Sequence, residues 1–346
     1  MKKFLLVLFL LLGALIITYF AGPKAKTPEL NTTLPMVSND LEMLENEIMQ
    51  NEMSIESLKD DVAAKIVWYD TPYVKTKYSL VYLHGYSATH PEGDSITYQF
   101  AKRYGCNLFL SRIYGHGLEE EEPMLDVTPE KLMESAKMAV AVGKELGEHV
   151  ILMSTSTGGT FSAYITSGHP EIFGQIMYSP NFDLFDESSK ILVKPWGLQL
   201  ARQVTGSDYH EYDNSDNPGK RFWTNKYRLE AVIALRSLID ATMQPETFQK
   251  IETPVFIGYY YKNDSLKDDA VSIPAMKTMF EELGTPPDRK RIINFPEAGT
   301  HVIASKYHSK AIDRIREETF AFAEEVLLLE PIEYVVKMDS LELAVL

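Results

Sequence analysis

The 346-residue chain has a single cysteine, Cys106, so no disulfide can form within it and no cysteine cluster can hold a metal. That thiol sits in Gly105-Cys-Asn-Leu-Phe-Leu, which reads as the start of a buried strand, and a buried thiol in apolar surroundings is inert. Basic residues are in deficit: 34 Lys and Arg stand against 49 Asp and Glu, a formal net charge of -15. A surface of that sign repels phosphate backbones, so nucleic acid is not an expected partner. The sequence also lacks an H-E-x-x-H pair, a phosphate-binding loop and a dinucleotide fingerprint. No metal and no cofactor is expected.

Long apolar runs are scarce too. The one sustained example spans Phe4 to Phe20, interrupted only by Gly13, Thr18 and Tyr19, and follows Lys2 and Lys3. This pattern is a secretory signal or a membrane anchor. Cleavage after Ala21 would place Tyr19 where a small side chain is preferred, which favours an uncleaved anchor. Positive charges before an apolar run stay inside, so the body is expected to be exported. It would be membrane-anchored, or secreted or periplasmic if the N-terminus is removed.

Residues 1–22 are therefore read as anchor or signal peptide, and 23–61 as a Pro-containing linker followed by an acidic helix. Leu41, Leu44, Ile48, Met49 and Met53 fall near helical spacing, which predicts packing on the body. From Ala64 the pattern becomes short apolar strands alternating with amphipathic helices. Strands are expected at Ala64–Tyr69, Tyr78–Leu83, Asn107–Arg112, Val150–Met153, Ile176–Tyr178, Pro254–Tyr260 and Arg291–Phe295. Helices are expected at Ser95–Tyr104, from a Thr128 cap to Leu146, at Thr157–Thr166, Pro274–Leu283 and Ser309–Leu328. Such alternation implies a parallel sheet covered on both faces. It divides into 62–181 and 251–330, separated by residues 182–250, where the alternation pauses. That stretch reads as a helical lid over the ligand end of the sheet. Residues 331–346 form a C-terminal tail.

The chemistry gathers at strand ends. Ser154-Thr-Ser-Thr-Gly-Gly follows an apolar strand and opens a helix of small residues. A nucleophilic serine needs such a sharp strand-to-helix turn with small neighbours, which points to Ser156. Ser154 stands where that turn usually has Gly. The strand ending in His84-Gly85-Tyr86 supplies a second turn, and the N–H groups of Tyr86 and Thr157 are candidates for an oxyanion hole. His84 reads as structural. An orienting acid and then a base should follow in the chain. The loop after Tyr260 offers Asp264, Asp268 and Asp269, and His301 follows the last strand after a Gly turn. His90, His149, His169, His210 and His308 lack a partner pattern and read as solvated.

These segments together resemble the α/β-hydrolase superfamily, most nearly its serine esterases, monoacylglycerol-lipase-like enzymes and serine aminopeptidase-like members. The resemblance runs from about Ile66 to Leu328. It is carried by Leu83-His-Gly-Tyr, Arg112-Ile-Tyr-Gly-His-Gly, Ser154-Thr-Ser-Thr-Gly-Gly, Asp268-Asp-Ala-Val-Ser and Gly299-Thr-His. It implies an α/β-hydrolase fold with a lid insertion and favours Asp268 as the acid, because it precedes a short apolar stretch and Ser272 at the family's spacing. It makes His116 structural. The expected function is hydrolysis of carboxylic esters through an acyl-enzyme on Ser156, and the aromatic and aliphatic residues of the lid region point to a lipid-like substrate. A prolyl-aminopeptidase-like peptidase is the alternative, and it needs an acidic or carbonyl group to hold a free amine. A non-catalytic binding protein on the same scaffold is the other.

Overall fold

Seven strands form the main sheet: β1 Lys65–Val67, β2 Thr76–Leu83, β3 Asn107–Leu110, β4 Gly147–Thr155, β5 Gly174–Tyr178, β6 Val255–Tyr259 and β7 Lys290–Asn294. They come from a computed structural model that describes residues 1–213 and 216–332. Most of the expected C-terminal tail thus lies outside the described residues. The spatial order is β1-β3-β2-β4-β5-β6-β7. Only β1 runs antiparallel to its neighbour.

Parallel neighbours need crossovers, and amphipathic helices supply them. Along β2, Leu80 and Tyr82 point to one face while Val81 and Leu83 point to the other. Along β4, Ile151 and Met153 oppose Leu152 in the same way. The first face packs on α3 (Ile96–Tyr104) and α9 (Ile312–Glu325) through Phe100, Ile315 and Phe322. The second packs on α4 (Pro129–Leu146) and α5 (Thr157–Thr166) through Leu132, Val140 and Phe161. With both faces covered, each core side chain is withdrawn from water, worth about 1.5–3 kcal/mol apiece. Thr128 caps α4 by accepting from the Lys131 N–H at 3.3 Å.

The strand order reverses between β2 and β4. From β2 the chain steps outward to β3, and from β4 it steps the other way to β5. A crevice opens at such a switch point beyond the carboxyl ends of the strands. Here those ends are Leu83 and Thr155, so the two turns singled out by sequence flank the crevice.

Ahead of the sheet, α1 (Lys2–Phe20) is an apolar helix with no buried residue. Its last turn touches the body, where Trp196 Nε1 donates to Thr18 O at 3.1 Å and Trp196 N donates to Pro23 O at 2.7 Å. Residues 23–38 form neither helix nor strand and lie against the body. Asn31 Oδ1 accepts from Lys137 Nζ, and Leu30, Leu34 and Val37 pack on the core. In α2 (Leu41–Met53), Asp40 caps the Met43 N–H and Leu44 is buried. Glu52 pairs with Arg112 at 2.6 Å, joining α2 to the turn after β3.

Between β5 and β6 the chain forms α6 (Gly197–Thr205), α7 (Leu229–Thr242), α8 (Pro245–Gln249) and a ribbon pairing Tyr209–Glu211 with Lys226–Arg228. The expected strand at Ala64–Tyr69 shortens to three residues, since among the described residues β1 is an edge strand that pairs with β3 alone.

Candidate active site

Ser156 sits between β4 and α5 with φ 52° and ψ -119°, a conformation a non-glycine residue adopts only under constraint. Three backbone bonds impose it. Ser156 N donates to Tyr178 O at 2.9 Å, while Ser156 O accepts from Gly159 N at 2.8 Å and Asn181 N at 2.9 Å. Gly158 is required by close approach: a Cβ there would lie 1.9 Å from Leu83 O. Ser154 fits despite its side chain, because its Oγ turns toward β5, 3.5 Å from Ile176 O.

The facing turn after β2 is held by His84, which is fully buried. Its Nε2 accepts from Ile113 N at 3.0 Å and its Nδ1 lies 2.9 Å from Gly85 O. Burial, then the neighbouring His116, drives its pKa well below 6.5, so the ring is neutral. His84 and His116 both serve the turns, as the sequence suggested. Tyr86 and Thr157 follow on either side of the crevice. Among the described residues, neither of their N–H groups has a hydrogen-bond acceptor. Thr157 opens α5, where helix geometry leaves N–H groups unpaired and favours negative charge. The Tyr86 hydroxyl donates to Ala231 O at 2.6 Å, tying this turn to α7.

The loop after β6 brings Asp268 to His301. Asp268 Oδ2 is 2.7 Å from His301 Nδ1, and Oδ1 accepts from Ala270 N and Val271 N. Asp268 is 1% exposed, whereas Asp264 and Asp269 are exposed, and Asp264 is occupied by the Tyr261 hydroxyl. Burial opposes a charged imidazole, but Asp268 more than offsets it, with smaller help from Glu92 and Asp269, so the His301 pKa is raised. No hydrogen bond joins Ser156 Oγ to His301 among the described residues.

Glu92 belongs to this neighbourhood and went unnoticed in the sequence. It lies in a 3-10 turn, His90–Gly93, and is 2% exposed. Its Oε2 accepts from Gly85 N at 2.8 Å and from the Tyr82 hydroxyl at 3.1 Å. Glu92 Oε1 and Ser156 both crowd Gly85: a Cβ there would lie 2.9 Å from Glu92 Oε1 and 3.2 Å from Ser156 Cβ. Burial pushes the Glu92 carboxyl up to about 7, against the pull of Gly85, His301 and Tyr82. A glutamate among Thr, Pro and Gly, seven residues past Gly85, is the only signal sequence offered. His90 is likewise buried rather than solvated, 3.1 Å from Ala63 O. His308 meets Asn217 Nδ2 at 2.6 Å and packs edge-on against Trp223.

No protein-family model and no curated protein matches the sequence. Solved structures do match. One comes from the metagenome-derived lipolytic enzymes LipS and LipT, at TM-score 0.62 and 15% identity, over 77% of this chain and 98% of that one. The monoacylglycerol lipase of Paleococcus ferrophilus matches at TM-score 0.54 and 15% identity, over 77% and 98%. Est1E from Butyrivibrio proteoclasticus, with ferulic acid bound, matches at 0.51 and 16%, over 77% and 95%. The chain has the α/β-hydrolase fold: a mostly parallel sheet flanked by helices, with the candidate site at its switch point.

Proposed function

We propose that the protein is a serine hydrolase that cleaves carboxylic esters through an acyl-enzyme on Ser156. The observation that carries this is the 2.7 Å contact between His301 Nδ1 and the buried Asp268, in loops beyond carboxyl ends of the same sheet whose β4 end carries the constrained serine. In this reading His301 Nε2 takes the proton of Ser156 as Oγ attacks the ester carbonyl, and Asp268 stabilises the imidazolium. The N–H groups of Tyr86 and Thr157 receive the developing oxyanion. Collapse expels the alcohol with the proton from His301, and water then releases the acid by the reverse route.

The esterases and lipases that share the fold agree with an ester substrate. A lipid-like acyl chain is favoured by the insertion, residues 182–250, which exposes Ile191, Leu200 and Val204 and is read as a lid. In this reading α1 is a membrane anchor, the body is exported and the lid lies close to the anchor, a reading supported by the bond from Trp196 Nε1 to Thr18 O.

A fluorophosphonate probe tests the proposal. The wild-type chain is expected to label and Ser156→Ala to lose the label while remaining folded. A folded wild-type chain that stays unlabelled refutes it. A panel of p-nitrophenyl esters and aminoacyl anilides then decides the substrate, and faster anilide turnover would overturn the ester reading in favour of a peptidase.

A further inference from the structure

Glu92 is a buried carboxyl that the proposed chemistry leaves unused, yet it is bonded to one turn of the site directly and linked to the other through Tyr82. Its Oε2 holds Gly85 N–H, the residue before the proposed oxyanion donor Tyr86. The same oxygen receives the Tyr82 hydroxyl, and Tyr82 is 2.9 Å from Thr155 Oγ1, the residue before Ser156. Thr155, Tyr82, Glu92 and Gly85 thus form one buried chain that joins the nucleophile elbow to the oxyanion turn. A buried polar network of this kind fixes geometry because each member has little freedom to repack.

The charged and titratable groups around it are few. Tyr82 faces Glu92 from β2, His301 from the loop after β7, and Tyr212 from the insertion, where its hydroxyl meets Ser87 Oγ at 3.0 Å. His301 in turn faces Asp268, Glu92 and Asp269, with His308 on its far side. None of these neighbours is a lysine or arginine, so a charge on Glu92 is met chiefly by His301.

We propose that Glu92 is a positioning residue of this centre, holding the oxyanion turn against the nucleophile elbow and setting a second carboxyl charge beside His301. The inference rests on the Ser156–His301–Asp268 reading. An ionised Glu92 favours the imidazolium over the free base, so its removal should let His301 act as a base at lower pH. Gln is the informative replacement. Its amide oxygen can keep the bonds to Gly85 and Tyr82 while the charge is lost.

The test is the pH dependence of the second-order labelling rate with a fluorophosphonate, which needs no knowledge of the physiological substrate. Wild type, Glu92→Gln and Glu92→Leu are compared. For Glu92→Gln the acid limb should move down, by less than a full pH unit because the Glu92 carboxyl is itself only partly ionised near pH 7, with a plateau rate within about threefold of wild type. For Glu92→Leu the plateau should fall about 10- to 100-fold, because the turn that presents Tyr86 is no longer held. A merely structural glutamate would not move the acid limb. Coincident acid limbs for Glu92→Gln and wild type overturn the inference, and so does a folded Glu92→Leu that labels like wild type. Where Glu92→Leu does not fold, the Glu92→Gln limb alone decides. A wild-type chain that never labels refutes the triad and this inference with it, whereas labelling lost in Ser156→Ala with an unmoved Glu92→Gln limb refutes only the role of Glu92.

Discussion

Glu92→Gln should also stabilise the folded protein at pH 8 while changing it little near pH 4.5. A free glutamate titrates near 4.5, and burial raises the folded carboxyl to about 7. Between those values the unfolded chain has released the proton that the folded chain still holds. The folded state binds more protons there, so stability is full below the lower value and is lost as pH rises through the upper one. At about 1.4 kcal/mol per pH unit, the interval from 4.5 to about 7 is worth about 3 kcal/mol. Gln keeps the shape of the neutral acid and never ionises, so the variant escapes that loss. Urea unfolding of both proteins at pH 4.5, 6 and 8 measures it, since the titrating groups not coupled to Glu92 cancel in the difference and His301, the coupled one, alters the gap by less than the desolvation of Glu92 itself. The stability gap should open with pH to roughly 3 kcal/mol in favour of Gln. A gap that stays flat across the series, or that closes, would show that Glu92 is not held in a desolvated site.

Three further outcomes follow from the geometry. Asp268→Asn should fold normally yet slow fluorophosphonate labelling by about 10³- to 10⁴-fold, because the amide cannot stabilise an imidazolium as the carboxylate does. A drop under tenfold would count against its contact with His301. Gly158→Ala places a methyl 1.9 Å from Leu83 O, a backbone atom fixed by the pairing of Leu83 with Ser154. It should cost about 3 kcal/mol or more, read as a lowered urea midpoint, and an unchanged midpoint would show that α5 can back away from β2. The Cys106 thiol is 1% exposed with its pKa raised by burial, so it should react with a thiol reagent only on unfolding. Rapid reaction in the native state would contradict its place in the core.

The sheet is legible in the sequence because doubly covered strands leave continuous apolar runs such as Val150 to Met153, and the runs alternate with helices. The two turns of the site are legible for a local reason. Gly158 and the His84-Gly85 pair are required by contacts between neighbouring strand ends, and such contacts leave fixed residues at fixed spacing. Asp268 is separable from Asp269 and Asp264 in the sequence only by the family spacing, because burial beside His301 is a tertiary property. Glu92 and His90 are illegible because their burial is tertiary. A four-residue turn carries them under the end of β2, and nothing in Thr89-His-Pro-Glu-Gly distinguishes that from a solvated loop. Trp223 shows the same limit. It lies in the stretch read as a lid, yet it packs with Val62, Ala88 and Phe222 in a small buried cluster.

The bond from Trp196 to Thr18 has a kinetic meaning. Were α1 a membrane anchor and residues 182–250 a lid, as proposed, the insertion would be held at a short reach from the lipid surface. Encounter with a membrane-dissolved ester would then become a search in two dimensions. Turnover would follow the mole fraction of substrate in the membrane, and diluting that membrane with inert lipid would slow the reaction even where the total substrate in the tube is unchanged.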